Sequence, residues 1–204
     1  LQSARRRGAE LDALYGLEGP ELVARVLGAA GPKLLIMAHL GSWEMTAAVL
    51  ARQFGAPGAA IACRGDNPFL DALIKRVRLE RPGQWIEKRG ATAAALSRLR
   101  AGDSVALLLD ENAGRRGAFV EFFGRRASTH RSAALLSLLS GAQLVAGALV
   151  RDEASGERLF LLAEITPRPE LAGAAAVHDL TQRVTGVLEA WIRRYPRQWR
   201  WIHW

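Results

Sequence analysis

The sequence predicts an α/β fold, a mixed and mostly parallel sheet flanked by helices. Three observations point there. Short apolar runs alternate with helical patterns along the whole chain. Two of the runs, KLLIMA at 33–38 and SVALLL at 104–109, are continuously apolar, as strands covered on both faces are. Polar residues of three different kinds, His39, Arg64 and Asp110, directly follow three of the expected strands, where open α/β sheets gather their ligands.

Taken in order, 33–38 is a short buried strand, 42–54 reads as a helix and 59–63 as a second strand. Phe69, Leu70, Leu73, Ile74 and Val77 recur at helical spacing and predict a helix over 67–81. A strand is expected at 84–88, then a helix over 92–100 closed by Gly102, then the buried strand 104–109. Residues 118–123 suit a shorter strand or turn, and 129–139 a helix. No charge occurs from Ser132 to Val150, about the length of a membrane span, but Ser140-Gly141-Ala142-Gln143 interrupts it. The first half is therefore expected as a buried helix and the second, 143–150, as a strand. A partner strand at 158–165 follows across the polar loop DEASGE. The last helix, 177–194, carries Leu180, Val184, Val187, Leu188, Trp191 and Ile192 on one face and ends before Pro196.

Composition narrows the function. The 204 residues are 50% hydrophobic and 24% charged, so a core is available and wholesale disorder is excluded. Cys63 stands alone, which forbids an intramolecular disulfide and a four-thiolate zinc site. No two glycines stand two apart, so the dinucleotide fingerprint and the kinase glycine loop are absent. There is no G-x-S-x-G, and no lysine precedes Ser or Thr, which removes the Walker loop. His130, His178 and His203 show no metal-ligand spacing, so no metal is expected. The net charge is +8, and lysine supplies only Lys33, Lys75 and Lys88 of the 28 basic residues. Arginines cluster at 115–131, with Glu121 the lone acid, and again from Arg193 onward with no acid. Such patches suit a nucleic acid, an anionic membrane surface or an acidic substrate or carrier.

The sharpest local feature is His39-Leu40-Gly41-Ser42-Trp43-Glu44. A histidine at a strand end, a glycine and a helix start together present an imidazole. Glu44 would fall in the first helical turn, where a carboxylate is favoured, and the turn can bring it back to His39. A carboxylate beside a histidine fixes its tautomer, and the other ring nitrogen then removes a proton. No serine or cysteine partner is indicated, so the nucleophile would be a hydroxyl of the substrate. The alternative is a half-buried structural histidine and a helix-start acid.

Four ordered blocks carry a resemblance to a known family. HLGSWE behind an apolar strand resembles the H-x4-[DE] signature of glycerolipid-type acyltransferases. Arg64-Gly65-Asp66-Asn67-Pro68-Phe69 resembles the R-x-x-N-P block of the bacterial lipid A late acyltransferases. Asp110-Glu111-Asn112 with Gly117-Ala118-Phe119-Val120-Glu121-Phe122-Phe123-Gly124, followed by Thr129, resembles their third block, in which the position of Glu111 is often Gln. Residues 195–203, with Pro196, Gln198, Trp199, Trp201 and His203, resemble their P-x-Q-W-x-W-x-H ending.

The resemblance implies a single acyltransferase domain over 1–204, at the cytoplasmic face of the inner membrane. Relatives usually carry an N-terminal membrane helix, which this chain, opening at Leu1, is expected to lack. The implied reaction moves a fatty acyl chain from acyl carrier protein, or acyl-CoA, to a hydroxyl of a glycolipid. Lipid A precursor is the first candidate, mannosylated phosphatidylinositol the second, a lysophospholipid the third. By carry-over His39 is the general base and Glu44 its partner. Arg64, Asn67, Arg78, Asp110 and Glu111 fall in the substrate-binding blocks, and Arg151, which follows a buried strand, is a further candidate for anionic substrate. No cofactor is required. Two rivals are a nucleic-acid-binding domain, for which no recognition motif is present, and a lipid-binding protein without catalysis.

Overall fold

The computed structural model describes residues 16–43, 45–46, 58–62, 84–87 and 90–201. Seven strands form one sheet: β1 (Gly16–Leu17), β2 (Lys33–Met37), β3 (Gly58–Ala62), β4 (Gln84–Glu87), β5 (Ser104–Leu108), β8 (Gln143–Arg151) and β9 (Arg158–Glu164). Their order across the sheet is β1-β9-β8-β2-β5-β3-β4. All neighbours run parallel except β8 and β9, which form an antiparallel hairpin. The α/β reading with a mixed, mostly parallel sheet is therefore what the chain adopts.

Alternation along β2 shows how the sheet is covered. Leu34 and Ile36 pack on one face with α2 (Ala91–Arg100), α3 (Ser132–Ser140) and α4 (Gly173–Arg194). Leu35 and Met37 pack on the other face with Val23, Val26 and Leu27 of α1 (Pro20–Gly28). On α4, Leu180, Val184, Leu188 and Ile192 recur every fourth residue and are at most 3% exposed. Burial of each such side chain stabilises the layer by about 1.5–3 kcal/mol, which holds α4 in the same core as Leu34 and Ile36.

Residues 132–150 divide as expected into a helix and a strand. Gly141, at φ +71°, ends α3 by donating its N–H to the Ser137 carbonyl (2.9 Å). Among the described residues no helix is long and apolar enough to cross a membrane.

Two expectations need correction. Thr129 does not open a helix; it closes β7 (Arg125–Thr129), which pairs back on β6 (Ala118–Phe122) as a separate two-stranded hairpin, and α3 begins only at Ser132. The loop is Phe123-Gly124, and both residues have positive φ, as a two-residue hairpin turn requires. α4 also starts four residues earlier than its apolar stripe, because Gly173–Ala176 extends it with small residues. The helix expected over 67–81 and most of that over 42–54 lie outside the described residues.

Candidate active site

The sheet itself brings the central pair together. Met37 and Leu108 are register partners on the adjacent parallel strands β2 and β5. The ladder runs one step further, with the Leu109 N–H donating to the Met37 carbonyl (3.1 Å). His39 and Asp110 each lie two residues beyond that register pair, and equal offsets on parallel neighbours place them side by side. Asp110 Oδ1 accepts from His39 Nδ1 at 2.9 Å, and Oδ2 accepts from the His39 backbone N–H at 2.8 Å. The two side chains are 8% and 1% exposed.

A third donor comes from the far end of the described chain: Trp199 Nε1–H reaches Asp110 Oδ2 at 2.8 Å. Burial desolvates the Asp110 carboxylate and by itself would raise its pKa. The His39 ring hydrogen bond and charge, the indole N–H and the His39 amide together outweigh that, and the carboxyl lies below its ordinary value. Asp110 is thus an ionised acceptor. An ionised carboxylate only accepts, so Nδ1–H of His39 is the donor of this pair.

The backbone around His39 is clamped from two directions. Leu40 and Trp199 form an antiparallel bridge, in which Gly41 donates its N–H to the Gln198 carbonyl (2.9 Å) and Arg200 donates to the His39 carbonyl (3.0 Å). Behind it, Ser42 donates to the Leu149 carbonyl (2.8 Å), and the fully buried Thr46 hydroxyl accepts from the Leu149 N–H (2.9 Å). Gly41 sits at φ +58°, where a Cβ would run into the Leu149 carbonyl.

Trp199 is itself braced. Its indole stacks on Phe123 with ring centroids 6.0 Å apart at 21°. Phe123 holds φ +54°, uncommon outside glycine, while its N–H donates to Glu189 Oε2 (2.8 Å) and the Arg193 guanidinium lies 4.7 Å from its ring. A cleft of about 590 Å³ opens beside this cluster, with Asp110, Glu111, Phe122, Leu188 and Trp199 among its walls. Among the described residues no three His, Cys, Asp or Glu side chains are grouped to hold a metal ion.

A buried His–Asp pair is an arrangement able to move a proton, and here it adjoins a cleft with both polar and apolar walls. The model of the bacterial lipid A biosynthesis acyltransferase family matches residues 4–204, nearly the whole chain. The chain belongs to that family. No curated protein matches it significantly. The acyltransferase is therefore an enzyme that transfers acyl groups in a lipid A-type reaction.

The expected site residues of the acyltransferase fall in three places. His39, Asp110 and Glu111 converge at the carboxyl ends of β2 and β5. Arg151 ends β8 and lines a different cavity, with Gly41 and Ser42. Glu44, Arg64, Asn67 and Arg78 lie outside the described residues. Asp110, one of the expected substrate-binding residues, lines the cleft while its oxygens accept from His39 and Trp199. Sequence reasoning did not find the Trp199–Asp110 hydrogen bond. The available signal was the ending that carries Trp199 and Trp201, which the resemblance marked as a block without giving its tryptophans a role.

Proposed function

We propose that the acyltransferase moves a fatty acyl chain from an acyl carrier protein or CoA thioester to a hydroxyl of a glycolipid, with His39 as general base and Asp110 holding its tautomer. The observation that supports this reading is the 2.9 Å contact between His39 Nδ1 and Asp110 Oδ1 in a nearly solvent-free setting. His39 Nε2 takes the proton of the acceptor hydroxyl as its oxygen attacks the thioester carbon. Asp110 stabilises the imidazolium so formed. The tetrahedral intermediate collapses, the C–S bond breaks, and the thiolate leaves with the proton from Nε2. An ester and a free thiol result. General base catalysis contributes about 10² to 10⁴-fold, and positioning of the two substrates supplies more. Glu44 remains the second acid to test beside Asp110.

Lipid A precursor is the preferred acceptor, ahead of mannosylated phosphatidylinositol and a lysophospholipid. The enzyme works at the cytoplasmic face of the inner membrane, on an anionic surface. Phe119 and Trp201, 50% and 64% exposed, stand at the mouth of the cleft with Arg126 over the Phe119 ring at 5.6 Å. Aromatic rings settle at headgroup depth, and arginines are drawn to anionic lipid.

The test is mass spectrometry of lipid products after incubation with acyl carrier protein thioesters and each acceptor. The expected product gains one acyl chain with wild type and not with His39→Ala. Failure to acylate any acceptor, or a wild-type rate in His39→Ala, refutes the reading.

A further inference from the structure

The β8–β9 hairpin sets two guanidinium groups on directly opposed positions, Arg151 against Arg158. Like charges opposed across an antiparallel ladder destabilise it. Among the described residues neither arginine has an ion-pair partner. The acids of the connecting loop are not engaged with them. Asp152 accepts from the Ala154 and Ser155 N–H groups and the Ser155 hydroxyl. Glu153 faces Arg197 at 4.0 Å.

Both arginines line a cavity of about 500 Å³ with no carboxylate among its described walls. Gly41 and Ser42, two and three residues beyond His39, line it as well. One side chain ties Arg151 to that segment. Gln198 donates from Nε2 to the Arg151 carbonyl (2.6 Å) and accepts at Oε1 from the Arg151 N–H (2.9 Å). The Gln198 carbonyl is the one that holds the Gly41 N–H. Arg151 Nε–H donates to the Gly156 carbonyl (3.1 Å), which orients the guanidinium and leaves its two terminal amino groups for a ligand.

We infer that this cavity is a phosphate subsite, with Arg151 and Arg158 as its two grips. Guanidinium forks match phosphate oxygens in bidentate geometry, and an anionic phosphate between them relieves the cross-strand repulsion. This rests on the acyl-transfer reading for its occupant. The phosphate belongs either to the donor, as the phosphodiester next to its pantetheine arm, or to the headgroup of the acceptor.

Initial rates with wild type, Arg158→Gln and Arg158→Lys decide it, using acyl-CoA against an acyl-pantetheine without phosphate, and a phosphorylated acceptor against its dephosphorylated form. Arg158→Gln raises KM for the phosphate-bearing substrate about 10-fold or more, as loss of a charge-assisted hydrogen bond does, with kcat within about twofold. Arg158→Lys recovers part of the loss. The penalty disappears with the phosphate-free version of one substrate, which names the source. An unchanged KM, or an equal penalty with both phosphate-free substrates, overturns the subsite. A separate reading needs no turnover: ³¹P line broadening of inorganic phosphate, seen with wild type and absent with the Arg151→Gln/Arg158→Gln double variant. The same line width with both proteins overturns the subsite, whereas phosphate binding without acyl transfer leaves it standing and removes the catalytic reading instead.

Discussion

Asp110 accepts three hydrogen bonds, two from His39 and one from Trp199, so its carboxylate cannot turn without breaking at least one. Asp110→Asn puts an amide donor against the donors that surround it. It is expected to lower kcat by about 10² to 10⁴-fold, measured with saturating donor and acceptor. Its effect on stability depends on pH with a fixed sign. A carboxyl whose folded-state pKa lies below 3.8 stabilises the fold fully above its unfolded value and loses that contribution as pH falls through the folded-state value. In urea unfolding, the gap between wild type and Asp110→Asn is constant above about pH 5 and shrinks below it. Trp199→Phe keeps the stack on Phe123 but loses a hydrogen bond to a charged acceptor, a cost of about 1.5–3 kcal/mol visible in the same titration. His39 and Asp110 each stood out in the sequence as polar groups behind apolar runs. Their pairing did not, because it depends on β2 and β5 being neighbours, and the two residues are 71 apart in the chain. The indole was harder still, at a separation of 89.

At the scale of elements, the loop after β2 is the most constrained segment of the site. Gly41→Ala must hold a left-handed backbone, worth about 1–2 kcal/mol against an L side chain, and must also push a methyl group against the Leu149 carbonyl. A lower melting temperature and a larger loss of kcat than of acceptor affinity are expected, because the strain falls on the segment that aims His39. The long apolar runs were legible as strands since continuous burial leaves an unambiguous pattern. The β6–β7 hairpin was only half legible. Its turn uses Phe123 where Asn or Gly is usual, and its return strand, Arg125–Thr129, is polar enough to read as loop. Phe123 tolerates the strain because Glu189, Arg193 and Trp199 hold it in place. α1 escaped notice because two turns of helix give too few apolar repeats to register.

The whole molecule carries its charge unevenly, and the arginines of 115–131 sit beside exposed apolar groups. Leu138 and Leu139, 38% and 55% exposed, line an apolar cleft of about 540 Å³ together with Arg131 and Val177. Binding to anionic vesicles is expected to weaken as salt rises, since screening already acts within about 8 Å at physiological strength. Leu139→Asp lowers binding further while leaving the melting temperature near that of wild type. Sedimentation with anionic and zwitterionic vesicles reads both effects, and equal binding to the two compositions would refute the electrostatic part. The bridge between Leu40 and Trp199 has a temporal consequence. Until translation passes Arg200 and that stretch clears the ribosome, the histidine loop lacks its brace and the aspartate lacks its indole. A nascent chain that stops short of Arg200 therefore holds the His39–Asp110 pair without either support.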